Sequence, residues 1–315
     1  MHESNSTAGE RKITPAQSMD RLAFIALLLG NIALAFGPLF VRMATDHGGI
    51  GPLASAFWRL ALAAPVLLLL TRVTRQPIGR MTPWLWATLV LGGLFFAADL
   101  ASWHLGILKT KLANATLFGN STSLIFPIYG FIAARAWPTR SQGVALTLAA
   151  AGAILLLGRS YELSAQNMVG DLLCLLAGLL YTFYLIAIDR ARSTLMPWPV
   201  LTLSTIFGIV PLLVFAMAFG ERIIPTDWTA PVLLALFSQI IGQGLLVFAM
   251  GHVRPLIVGL ALLSQPIVAA TIGFVAYGET VTTPDLIGAA AIGVAIILVR
   301  RRGKPTTLPL EDANL

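Results

Sequence analysis

The chain predicts an all-α integral membrane protein. Of its 315 residues 57% are hydrophobic and only 11% charged, with a mean hydropathy of +0.82. Soluble domains carry roughly a quarter charged residues, so a soluble globular fold is excluded. Apolar blocks long enough to cross a bilayer, about 20 residues each, recur along the chain. They are continuous runs such as LALAAPVLLLL (60–70), without the alternation of a lipid-facing β-strand.

The elements follow in order. Residues 1–20 are polar apart from scattered apolar side chains, hold Arg11 and Lys12, and lack the apolar stretch of a signal peptide, so they are expected to be a disordered cytoplasmic tail. Ten spans are predicted at 22–42, 51–71, 83–108, 111–134, 141–158, 170–189, 197–219, 230–250, 255–276 and 284–300, and a second tail at 301–315. TDHGGIGP (45–52), TRVTRQPIGRMTP (71–83) and GERIIPTDW (220–228) combine turn formers with charge or aromatic anchors, chemistry that belongs at the membrane surface.

Orientation comes from the basic residues. With the N-terminus inside, 15 of the 21 Lys and Arg fall on the inner side, five on the outer side, and Arg59 within a span. This bias predicts cytoplasmic termini and an even number of spans. The net charge of +7 is scattered singly between apolar blocks. It therefore suits anionic lipid and topology rather than nucleic acid. Cys174 is the single cysteine, which excludes an intramolecular disulfide, and no Cys/His spacing for a metal is present.

Two blocks carry polar residues ahead of an internal proline: TLFGNSTSLIFPIYGFI with Pro127, and GLALLSQPIVAATIGFV with Pro266. A small-residue block follows each. The halves are then 21–158 and 170–300 with five spans apiece, and an odd number inverts the second half relative to the first.

Several stretches resemble the EamA type of the drug/metabolite transporter superfamily. They are FWRLALAAPVLLLL (57–70), FAADLASWHLGILKTKLANATL (96–117), GDLLCLLAGLLYTFYLIAIDR (170–190), and the repeated proline-then-glycine pattern. YGET (277–280) is similar to the acidic turn that commonly joins the last two helices in that family, whereas the first half has ARAWPTR (134–140) without the acid. The resemblance implies two inverted five-helix repeats, alternating access and, in bacteria, export across the inner membrane. Its substrate range is broad, spanning amino acids, nucleosides, nucleotide sugars and drug-like metabolites.

Ionisable groups inside a membrane are costly and are functional candidates by default. Asp99 is the one acid deep in a predicted span, roughly 14 Å from its outer end, and Arg59 lies roughly 12 Å deep from that same side at 1.5 Å per residue. One reading makes Asp99 a proton or ammonium site, with Arg59 its counter-ion or a carboxylate binder. The other makes them a structural ion pair fastening two helices. Trp103, four residues on from Asp99, is either an aromatic wall or an interfacial anchor, and His104 is expected to be structural.

In the fourth block Thr116, Asn120, Ser123 and Pro127 form a polar stripe, matched by Ser264, Gln265 and Pro266 in the ninth. Such stripes line cavities or join helices. Gln239 and Gln243 occupy in block eight the place of Asp99 and Trp103 in block three. Asn31, Pro38 and Tyr181 complete the candidate wall, and Pro38, Pro127 and Pro266 are the candidate helix breaks.

No phosphate-binding loop, GxSxG or HExxH occurs. The sequence therefore predicts a non-enzymatic secondary carrier without cofactor, metal or ATP, whose partners are a small-molecule substrate and the lipid bilayer. Amino acids are the leading substrate class and nucleosides or other metabolites the alternative; a receptor, an enzyme or a channel is disfavoured. Proton coupling through Asp99 and uncoupled diffusion are both compatible with so few buried acids.

Overall fold

The computed structural model describes residues 15–47, 49–110, 115, 118–158, 165, 167–268, 271 and 282–301. All regular structure among them is helical: α1 Pro15–Ala35, α2 Gly37–Asp46, α3 Pro52–Val73, α4 Pro83–Ile107, α5 Thr122–Ala133, α6 Arg140–Gly158, α7 Met168–Arg192 and α8 Pro197–Ala218. Then come α9 Thr229–Leu233, a π-helical segment Leu234–Gly242, α10 Gln243–Met250, α11 Pro255–Leu262 and α12 Thr283–Arg301. The all-α class is borne out. Among the described residues six helical stretches are long and apolar enough to cross a membrane: Ser18–Asp46, Pro52–Val73, Pro83–Ile107, Met168–Arg192, Pro197–Ala218 and Thr229–Met250. Thr122–Ala133, Pro255–Val268 and Thr283–Val299 are shorter apolar helices.

Helix starts are written locally. Proline stands in the first turn of α2, α3, α4, α8 and α11, where its missing N–H is no loss. Thr82 caps α4 by accepting from the Leu85 amide at 3.3 Å. An interior proline removes the donor for the carbonyl four residues back; Pro65 of α3, Pro127 of α5 and Pro211 of α8 are nevertheless carried inside unbroken helices, so the break expected at Pro127 is corrected, whereas two other prolines coincide with interruptions. Pro38 strips the bond from Leu34, and the first helical block is interrupted at Phe36. Pro266 strips it from Leu262, and the ninth block is interrupted at Leu263.

Packing joins distant parts of the chain. Helix α3 lies on α8, α4 on α7 and α8, α5 on α11, α6 on α12, and α1 on α10 with the π-helical segment. The main core gathers Phe57, Leu60, Phe96, Leu100, Tyr184, Leu201, Leu212 and Leu246 from these helices. Glycines permit the closest crossings: a Cβ on Gly152 would sit 2.7 Å from the Gly288 carbonyl of α12, and one on Gly93 2.7 Å from the Ser204 carbonyl of α8. Outward faces keep Leu22, Leu69, Ile132 and Val210 exposed, as lipid-facing positions require.

Candidate functional site

A cavity of about 110 Å³ lies where the helix interruptions converge. Its walls are Leu34 and Ala35 at the end of α1, Gly37 and Pro38 opening α2, Arg59 of α3, Phe96, Asp99, Leu100 and Trp103 of α4, and Gly119, Asn120 and Thr122 before and at the start of α5. Tyr181 of α7, Gln243 of α10, Leu262 of α11 and Gln265 close it. Of the sequence-predicted candidates, Pro38, Arg59, Asp99, Trp103, Asn120, Tyr181, Gln243 and Gln265 are thus brought together on one wall.

Three other candidates sit directly behind it. Gln239 accepts from Arg59 Nε at 3.1 Å and donates through Nε2 to Thr205 Oγ1 at 2.9 Å. Asn31 is fully buried, donates to the Leu27 carbonyl at 2.8 Å and accepts from Gln265 Nε2 at 2.8 Å. Ser123 donates to the Asn120 carbonyl at 2.5 Å and faces the turn, not the cavity. The continuous polar stripe expected in the fourth block is therefore corrected: residues 120 and 121 are a turn and α5 starts at Thr122, which bonds the Gly178 carbonyl. Thr116 of that stripe, like Glu279 of YGET, lies outside the described residues. Pro127 and Pro266 lie off the cavity wall; Pro127 packs against Gly259 of α11.

Arg59 and Asp99 are both nearly sealed from solvent, at 5% and 8% exposure, and feel each other's charge. Among the described residues no ion pair within 4.0 Å joins them. Instead of a direct pair, the arginine is held sideways. Its Nε is tied to Gln239 and its guanidinium carbon lies 5.5 Å from the centre of the Phe96 ring, a cation–π contact. Phe96 stacks in turn on Tyr184 at 4.4 Å, which stacks on Tyr181 at 5.6 Å. Its terminal nitrogens, fixed in direction by this cradle, make no bond to any described residue. Asp99 faces the same space.

The amides opposite are held as firmly. Gln243 donates to the Tyr181 hydroxyl at 3.0 Å and accepts from Tyr184 at 3.5 Å. The π-helical segment carries Gln239, so Gln239 and Gln243 do not share one regular α-helical face; one braces Arg59 while the other meets the cavity. His104 is buried and structural in its contacts: Nδ1 donates to the Pro52 carbonyl at 2.8 Å and lies 3.0 Å from Ser55 Oγ, stitching α4 to the first turn of α3. Cys174 is buried and free. No cluster of three metal-ligating side chains occurs among the described residues.

Sequence reasoning missed Thr205 and Phe96. Phe96 stands three residues before Asp99, on the same helical face, and could have been found that way. Thr205 sits within the ordinary run LTLST, with nothing to distinguish it from a packing threonine.

Long apolar helices around a buried, charged cavity define the class: a polytopic membrane protein with a polar site inside its helical bundle. The EamA-like transporter family model matches residues 21–158 and again 168–301, and the chain belongs to that family. An uncharacterized transporter of Archaeoglobus fulgidus is 24% identical over 264 residues, covering 80% of this chain and 89% of that protein. A second uncharacterized transporter of the same organism is 25% identical over 158 residues, covering 50% and 56%. A crystal structure at 16% identity superposes with a TM-score of 0.69 over 90% of this chain and 98% of its own, a likeness of fold. Membership makes this a multi-pass membrane transporter of small molecules.

Proposed function

We propose that the protein exports small zwitterionic metabolites, amino acids foremost, across the bacterial inner membrane by alternating access. The single observation carrying this is the open charge pair. Arg59 and Asp99 face one cavity without an ion pair between them, so the cavity presents one cationic and one anionic partner. Each buried charge costs free energy while unpaired, and a ligand bearing a carboxylate and an ammonium satisfies both. Arg59 presents a planar fork suited to a carboxylate; Asp99 takes the ammonium. Phe96, Trp103 and Tyr181 supply apolar faces for the remainder. In the proposed cycle these groups bind substrate at mid-depth and the two halves then rock to open the other side.

Ten helices in two inverted repeats, 21–158 and 170–300, with both termini in the cytoplasm, complete the reading. Support comes from the packing. Counting α1–α2 and α9–α10 as one segment each, the pairs second–seventh, fourth–ninth and fifth–tenth map onto themselves under a shift of five segments. The first–eighth pair maps onto the third–sixth.

The test is counterflow into liposomes preloaded with single amino acids, with and without a pH gradient. Saturable exchange, abolished in Arg59→Ala and Asp99→Ala, is expected. Exchange of nucleosides alone would replace the amino-acid assignment with a reading favoured by the aromatic faces. Proton coupling through Asp99 fails if Asp99→Asn keeps both the rate and its pH dependence.

A further inference from the structure

We infer that α3 and α8 form a tied two-helix spine, because the C-terminal turn of each helix supplies the N-terminal cap of the other. Both helices open with proline, Pro52 and Pro197, and both close with the same turn. At the end of α3 the Thr74 amide bonds the Leu70 carbonyl at 3.0 Å and the Gln76 amide bonds the Thr71 carbonyl at 2.8 Å, with Arg75 between them at φ +55°. At the end of α8 the Phe219 amide bonds Phe215 at 3.0 Å and the Glu221 amide bonds Ala216 at 3.0 Å, with Gly220 at φ +66°. This left-handed turn satisfies the last carbonyls and turns the next side chain away from the helix axis.

Those next side chains reach across the molecule. Gln76 Oε1 accepts from the Trp198 amide at 3.3 Å, in the first turn of α8. Glu221 accepts from the Leu53 amide at 3.2 Å and the Ala54 amide at 2.8 Å, in the first turn of α3. Trp58 Nε1 adds a bond to the Ile223 carbonyl at 2.7 Å beside it. First-turn amides have no partner within their own helix; here each set finds it in the other half. Positions 52 and 197, 75 and 220, and 76 and 221 are each 145 residues apart, so the two caps are one device used twice, at opposite ends of an antiparallel pair.

Both helices run 22 residues without a break, each across one interior proline, Pro65 and Pro211. The segments lining most of the cavity do not: they break at Phe36, at 120–121 and at Leu263, or wind as a π-helix over Leu234–Gly242. The spine holds its length and register while the interrupted segments bend around it. This goes beyond the carrier reading and stands without it.

Hydrogen–deuterium exchange on the full chain in nanodiscs tests the tie. Glu221→Ala is expected to speed exchange at Leu53 and Ala54 by roughly 5–30-fold, the factor that loss of a helix cap corresponds to, and to leave Trp198 unaffected. Gln76→Ala does the reverse. Glu221→Gln keeps protection at only one of the two amides, since its single carbonyl oxygen replaces one of the two carboxylate oxygens that accept there. Nitroxides at Val73 and Met196, both exposed, in a Cys174→Ala background, are expected to report one narrow separation that broadens in Gln76→Ala. Unchanged exchange in both alanine variants, a loss of protection spread over the whole chain, or a broad separation before any cap is removed would each overturn the spine.

Discussion

The first half brings both charges to the cavity, beside the amide of Asn120, and the second half brings amides without a charge, Gln243 and Gln265. Arg59 and Asp99 come from α3 and α4, both regular helices, whereas Gln239 and Gln243 come from a segment that is π-helical as far as Gly242. The ends of α3 and α8, by contrast, repeat each other bond for bond. Symmetry is kept where helices must be held and abandoned where a ligand must be told from others. An asymmetric ligand with opposite charges on its two ends needs an asymmetric wall, while a scaffold working on both sides of a membrane gains from repeating its joints.

The largest expected effect breaks this contrast directly. Arg59→Met should lower transport efficiency about thirtyfold or more, given the 2–5 kcal/mol that truncating a buried charged partner costs. Gln243→Leu should lower it only about fivefold, the worth of one neutral hydrogen bond. Equal losses in a counterflow assay would mean that the two halves are functionally alike.

Next comes the brace. Gln239→Leu strands Arg59 Nε and the Thr205 hydroxyl, and should cost about 2 kcal/mol of stability in thermal unfolding, as loss of a hydrogen bond to a charged group does. Transport should fall, and Gln239→Glu should not restore it, because a carboxylate there pairs with Arg59 and cancels the charge left open to the cavity. At the joints, Arg75 occupies the left-handed position that Gly220 fills in the other half. Arg75→Gly should therefore stabilise the chain by about 1 kcal/mol, read as a higher Tm.

The smallest effect is a pH dependence confined to one joint. Burial lifts the Glu221 carboxyl above its usual range by more than the Ala54 and Leu53 amides lower it. The capped state then binds a proton more tightly than a released, exposed Glu221. Its contribution is fullest in acid and is lost as pH rises through the elevated value. Exchange at Leu53, corrected for the intrinsic rate, should slow slightly from neutral to mildly acidic pH, and Glu221→Gln should be flat.

Composition and run length were enough to read the all-α class and the six long apolar stretches among the described residues, because a bilayer demands apolar continuity. Most of the cavity wall was legible too: a charge or an amide inside an apolar block is conspicuous, as at Asp99 and Gln243. Three things were not legible. The separation of Arg59 from Asp99 depends on Gln239, which competes for the guanidinium from 180 residues away. The turn at 120–121 interrupts a stripe that regular periodicity would continue, since Thr122 finds the Gly178 carbonyl instead. The cap at Glu221 sits in GERIIPTDW, which reads as an ordinary surface loop until α3 is placed beside it.

The cap on α3 also has a schedule. Glu221 lies 168 residues beyond the amide of Leu53 that it satisfies. At roughly 5–20 residues per second of synthesis, α3 enters the bilayer some ten to thirty seconds before its partner exists. During that interval its first turn depends on headgroup water, and translation of the second half completes a helix that the ribosome released long before.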